Sequence, residues 1–166
     1  MKLPLMTTAA LLMASGALAA DATATMQGPD GTDMGQVSLT QTPHGVLIEA
    51  DLKGVAPGGH GFHIHETGSC SPGFDAAGDH YNPAGAEHGI LNASGRHAGD
   101  LPNVFAAEDG TARADILTDT VSLDPGADSS LFDDDGAAII LHENPDSYGP
   151  EAGAGGRLAC GVITMN

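Results

Sequence analysis

Apolar and polar side chains alternate along this chain only over short runs, and each run ends in a cluster of Gly, Pro, Asn or Asp. Alternation with a period of two places successive side chains on opposite faces of a strand, and turn residues at such intervals join antiparallel neighbours. The pattern predicts eight strands, at residues 22–27, 36–42, 46–52, 61–65, 103–107, 112–117, 137–141 and 157–164. Gly28-Pro29-Asp30-Gly31, Pro43-His44-Gly45 and Glu108-Asp109-Gly110 supply tight turns between them. The expected fold is all-β, an eight-stranded Greek-key β-sandwich or flattened barrel with two long loops. Those loops, residues 66–102 and 143–156, carry almost no periodicity. A loop as long as the first is uncommon inside a compact domain unless something holds it.

Composition narrows the picture. With 24 Gly and 10 Pro in 166 residues a helical bundle is disfavoured, while 41% apolar residues suffice for one core. No internal repeat and no linker divides the chain, so residues 21–166 read as one domain. The first twenty residues read as a secretory leader. Lys2 precedes an apolar stretch, and Ala17 and Ala19 stand in the small-residue spacing of a cleavage site, which puts cleavage at Ala19 or Ala20. No comparable apolar run follows, so no membrane association is expected. The remaining chain holds four basic residues against 22 acidic ones, a net charge of −18. So few cations cannot neutralise a run of phosphates, which excludes nucleic acid as a partner. Export also bears on Cys70 and Cys160, because an even pair in an oxidising compartment is more often a disulfide than two buried free thiols.

Seven of the eight histidines, namely His60, His63, His65, His80, His88, His97 and His142, fall in or beside the two long loops. His63 and His65, two apart on an expected strand, project from one face. Alone, such a pair is a weak metal signal. His142 ends another β run and could approach the same face. Within residues 66–102, His80, His88, His97 and Asp100 form a complete donor set for zinc, and an ion there would explain why the loop is ordered. The alternative is four polar residues on a solvated loop. His60 reads as a packing or supporting histidine beside the pair.

Four segments, taken in order, carry a resemblance. Gly61-Phe62-His63-Ile64-His65, His80-Tyr81-Asn82-Pro83, Arg96-His97-Ala98-Gly99-Asp100-Leu101 and Arg157-Leu158-Ala159-Cys160-Gly161-Val162-Ile163 are similar to the signature segments of the copper/zinc superoxide dismutases. The likeness spans about residues 23–164. It implies that His63, His65, His80 and His142 hold copper and that His80, His88, His97 and Asp100 hold zinc. His80 would then be shared, with both ring nitrogens deprotonated, a state two flanking cations make accessible. The resemblance further implies that Cys70 pairs with Cys160, that Arg157 guides the anion, and that Asp146 links a copper histidine to a zinc histidine. The implied reaction is dismutation of superoxide to oxygen and hydrogen peroxide, with His80 also carrying a proton.

Two features depart from the better-known members. The loop between His142 and Arg157 is short and holds no Lys, which weakens long-range steering of an anion. Cys70 lies only five residues after His65, a placement that resembles bacterial exported members and favours the periplasm over the extracellular space. The family includes monomers and homodimers. A copper carrier without turnover is the rival function, but such carriers expose thioether clusters, whereas Met26, Met34 and Met165 are widely spaced. A zinc-stapled structural sandwich would need neither the copper face nor Arg157. His142-Glu143-Asn144-Pro145-Asp146 begins like a zinc-protease helix, but Asp replaces the second His and Pro145 would break the helix.

Overall fold

The computed structural model describes residues 21–166; the expected leader, residues 1–20, lies outside the described residues. Ten strands follow in order: β1 (Ala22–Gln27), β2 (Asp33–Thr42), β3 (Gly45–Leu52), β4 (Gly58–His60), β5 (Phe62–His65), β6 (Val104–Ala106), β7 (Ala112–Thr118), β8 (Ala138–His142), β9 (Arg157–Val162) and β10 (Thr164–Met165). Hydrogen bonding joins them antiparallel in the order β4-β6-β7-β3-β2-β1-β9-β8-β5, with β10 added to β1. The first and last members of that order are separated in sequence only by Gly61, so the sheet almost closes on itself as a flattened barrel.

The strand count corrects the expected eight: β4 lies just ahead of the expected run 61–65, where Gly58 and Gly59 offer no alternation to read, and the last expected run divides in two. β4 pairs with β6, whereas β5 pairs with β8. At the corner between them the Gly61 N–H donates to Asn144 O and its carbonyl accepts from His142 N–H. A Cβ on residue 61 would lie 3.0 Å from the Ala154 side chain and 3.2 Å from the His63 ring, so a larger residue would have to push these neighbours aside by a few tenths of an ångström. The last run divides at Ile163: β9 lies between β8 and β1, and β10 pairs with β1.

Alternation is clearest in β3, where Val46, Ile48, Ala50 and Leu52 face the core and the residues between them face outward. β8 departs from it, since all five of its residues are buried. Its inner side chains join the main core with Phe62, Met26 and Leu39. Its outer ones, Ala138 and Ile140, are covered by Ala77, Phe74 and the Cys70–Cys160 disulfide. The bond ties the long loop to β9 across 90 residues of sequence and contributes about 4–5 kcal/mol in the chain-entropy model.

The loop from residue 66 to 102 is itself laced to β5. Ile64 N–H donates to Gly99 O, Tyr81 N–H to Ile64 O, and Gly99 N–H to Tyr81 O. A Cβ on Gly99 would sit 2.2 Å from Ile64 O, so only glycine lets the loop return this closely. The backbone thereby brings His80 opposite His65 and Asp100 opposite His63.

Candidate metal centre

β5 presents His63 and His65 on one face, paired with Ile140 and Ala138 of β8, and His142 is the last residue of β8. His80 approaches from the loop. Ring centroids lie 4.1 Å apart for His63 and His80, 4.9 Å for His63 and His142, and 5.0 Å for His65 and His80. One nitrogen from each of the four rings lies within 4.8 Å of the others.

The hydrogen bonds define which nitrogen faces the centre. His63 Nε2 donates to Asp146 Oδ2 at 2.7 Å; an ionised carboxylate only accepts, so this nitrogen carries the proton and Nδ1 keeps its lone pair. His65 Nδ1 donates to Gly78 O at 2.9 Å and His142 Nδ1 to Gly155 O at 3.4 Å, which leaves Nε2 of each ring as the lone-pair nitrogen. Those three nitrogens, His63 Nδ1, His65 Nε2 and His142 Nε2, are buried without any partner. An unpaired buried polar atom costs about 1–3 kcal/mol, so three in one place call for an electrophile. Burial also pushes the imidazolium form away: His63 is lowered from the ordinary histidine range, His65 is pushed down to about 2 and His142 to about 4. All three are therefore neutral at physiological pH, the form that ligates metals.

A second group adjoins the first. His80, His97 and Asp100 each place a ligand atom within 4.8 Å of the others. Asp100 Oδ2 accepts from the Gly89 and His97 N–H groups, while Oδ1 faces His80 Nδ1 at 2.8 Å and His97 Nδ1 at 3.4 Å. Burial works to raise the Asp100 carboxyl, but the His80 and Gly89 hydrogen bonds and the surrounding imidazoles hold it well below the usual carboxylate range. His97 Nδ1 has no hydrogen-bond partner, and burial lowers its basicity.

The His88 ring adjoins this group, its centroid 5.2 Å from that of His80 and 5.4 Å from that of His97, although it is not one of the three whose ligand atoms all lie within 4.8 Å of one another. Its Nε2 lies 3.0 Å from Asp146 Oδ2 and 3.6 Å from Asp100 Oδ1, and its Nδ1 2.7 Å from Gly149 O. His63, His88 and Asp146 instead form a third cluster, in which the Asp146 carboxylate spans a ring of the first group and the ring at the edge of the second. Asp146 is fixed in turn. Asn103 makes two hydrogen bonds to its backbone, and the Tyr148 N–H donates to Oδ1.

Arg157 opens β9 beside the four imidazoles, with Nη1 donating to Phe74 O at 2.6 Å and Nη2 to Gly78 O at 2.7 Å. Gly78 O thus holds both Arg157 and the outer nitrogen of His65. His60 is buried outside the centre, its ring between His142 O and Ala56 O at 2.7 and 2.8 Å. Sequence reasoning missed Asn103, Tyr148 and the carbonyls of Gly78, Gly149 and Gly155. Backbone acceptors carry no signature of residue type, and Asn103 acts on a residue 43 positions away.

A nearly closed antiparallel barrel carrying a buried, histidine-rich cluster able to coordinate metal ions is the class these observations define. The model of the family described as copper/zinc superoxide dismutase (SODC) matches residues 34–163. A superoxide dismutase [Cu-Zn] of Caulobacter vibrioides is 49% identical over 147 residues, covering 86% of this chain and 84% of that protein. Superoxide dismutase [Cu-Zn] 2 of Aquifex aeolicus is 42% identical over 159 residues, covering 92% and 93%. Among solved structures, a SOD-like protein from Bacillus subtilis superposes with a TM-score of 0.80 at 35% identity, covering 84% of this chain and 96% of that one. The chain belongs to the copper/zinc superoxide dismutase family.

Proposed function

We propose that this protein is an exported, periplasmic enzyme that dismutates superoxide, with copper held by His63, His65, His80 and His142. The observation that carries this reading is the convergence of three partnerless, buried imidazole nitrogens on the His80 ring beside a fixed guanidinium. Four nitrogen donors suit Cu(II), which leads the affinity order for such sites. His80, His97 and Asp100, with His88 at the edge, supply the nitrogen and carboxylate donors that suit zinc.

The chemistry a bound copper supplies is one-electron exchange, through which two superoxide anions and two protons become oxygen and hydrogen peroxide. The chain's own residues do the rest. Arg157, with both terminal nitrogens anchored on carbonyls, presents a positive charge where an anion must dock. Asp146, Gly78 and Gly155 hold the outer nitrogens of three rings, which fixes their tautomers and aims their lone pairs. With His80 Nδ1 directed at Asp100, its Nε2 is the nitrogen available to accept and return a proton at the reacting face.

A copper carrier without turnover fits less well, because Met26 is fully buried in the core, Met34 is packed against that core and Met165 is exposed on β10, so the described residues offer no exposed thioether cluster. The deciding experiment is metal analysis of the purified protein together with a superoxide-decay assay. About one copper and one zinc per chain with rapid decay is expected; copper uptake without decay would favour the carrier.

A further inference from the structure

Beside the copper face a groove is lined by Cys70, Phe74, Asp75, Gly156 and Arg157 among others. Arg157 is the one cation among its lining residues and Asp75 the one anion. The two are matched in position and opposite in mobility. Arg157 is pinned by Phe74 O and Gly78 O and only 20% of its side chain is exposed. Asp75, on the short 3-10 turn Phe74–Ala77, is fully exposed, and its Oδ1 lies 3.8 Å from Arg157 Nε. With one N–H of each terminal nitrogen spent on a carbonyl, three of the five guanidinium N–H groups remain for an anion, and Asp75 lies on the Nε side of them. Among the described residues the other basic side chains are already engaged, since Lys53, Arg96 and Arg113 each lie within 4 Å of an aspartate elsewhere on the barrel.

We propose that Asp75 is a tethered competitor for Arg157, an anion built into the groove that sets how readily small external anions dock beside the copper site. The inference rests on the proposed role of the four-imidazole group and Arg157. An exposed pair of this kind is weak, so the effect expected on anion affinity is roughly two- to fivefold. Salt should erase it, because the competing charge is solvent-exposed. The effect is carried by Arg157, so removing the arginine should remove most of it.

The test uses the full-length copper- and zinc-loaded protein and azide as a small-anion probe, followed by the azide-to-copper absorption band at about 10 mM and about 0.5 M ionic strength. Asp75→Asn should tighten azide binding two- to fivefold at low salt and by little at high salt, with Asp75→Lys shifting it further in the same direction. On an Arg157→Ala background, Asp75→Asn should have no more than a slight effect. If Asp75→Asn leaves azide affinity unchanged while Arg157→Ala weakens it, or if the gain is equally large without Arg157, the proposal is overturned and the proposed function stands. If no azide band develops on the loaded parent protein, the metal face is closed to anions and the functional reading falls with it.

Discussion

The two metal-binding groups differ in how the chain builds them. His63, His65 and His142 sit on adjacent strands, are 6% exposed or less, and have every outer nitrogen hydrogen-bonded. His80, His88, His97 and Asp100 all belong to the loop of residues 66–102, and the three imidazoles are 10–21% exposed. The strand-mounted rings are therefore aimed by the ladder itself, whereas the loop-mounted ones share a carboxylate, Asp100, that organises them. Sites on strands are held more tightly than sites on loops. The first group is thus suited to an ion whose charge changes, and the second to an ion whose binding energy orders the loop.

The largest expected effect comes from breaking the strand-mounted group. His63→Ala removes one lone-pair nitrogen and frees Asp146, so copper affinity and superoxide decay should each fall by more than about 100-fold. Titration with Cu(II) and a decay assay measure both. An equal loss from a loop residue outside both groups would blur the distinction between them.

Asp100→Ala should act on the loop instead. It leaves the Gly89 and His97 N–H groups without their acceptor, at a cost of about 2–4 kcal/mol, and weakens zinc retention. Amide exchange should accelerate across residues 66–102 while β5 and β8 stay protected. Uniform acceleration would show that the two groups are one cooperative unit.

Acid should strain the metal-free strand group in a way set by its buried histidines. Burial holds His63, His65 and His142 below the ordinary value of 6.5, so between that value and their folded values the unfolded chain binds more protons than the folded one. Stability is fully present above about pH 7 and falls as pH drops through 6.5, by about 1 kcal/mol each for His65 and His142 at pH 5.5, with His63 acting in the same direction and further loss towards pH 4 where His142 titrates. Denaturant titrations of the metal-free protein at pH 7.5 and 5.5 measure the slope; a flat profile would mean that these rings are protonated when folded.

The smallest effect expected is at the mouth of the site. Arg157→Ala should keep both metals and lower superoxide decay by about tenfold, most visibly at low salt. An unchanged rate would remove the arginine from the docking step.

How much of this was legible in the sequence follows the same division. The period of two put His63 and His65 on one face, and the resemblance pointed to His142 and His80. The fold class was legible for the same reason, since β3 alternates cleanly against the core. The short β4 was not, because Gly58 and Gly59 carry no apolar alternation and its pairing depends on the distant β6. The outward burial of β8 was also hidden, as its cover comes from Cys70 and Phe74 far away in sequence. His88 stands beside His80 and His97 as its residue type suggested, and its contact with Asp146 was implied by the resemblance, whereas the Gly149 carbonyl it also faces carries no signature of residue type.

The central claim is tested most directly by adding copper stepwise to zinc-loaded, copper-free protein while recording nitrogen hyperfine structure by electron paramagnetic resonance and superoxide decay on the same samples. The account predicts that both signals rise together, saturate at about one copper per chain, and vanish together in His63→Ala. Copper held by nitrogen ligands with no gain in superoxide decay, or decay indifferent to His63→Ala, would contradict it.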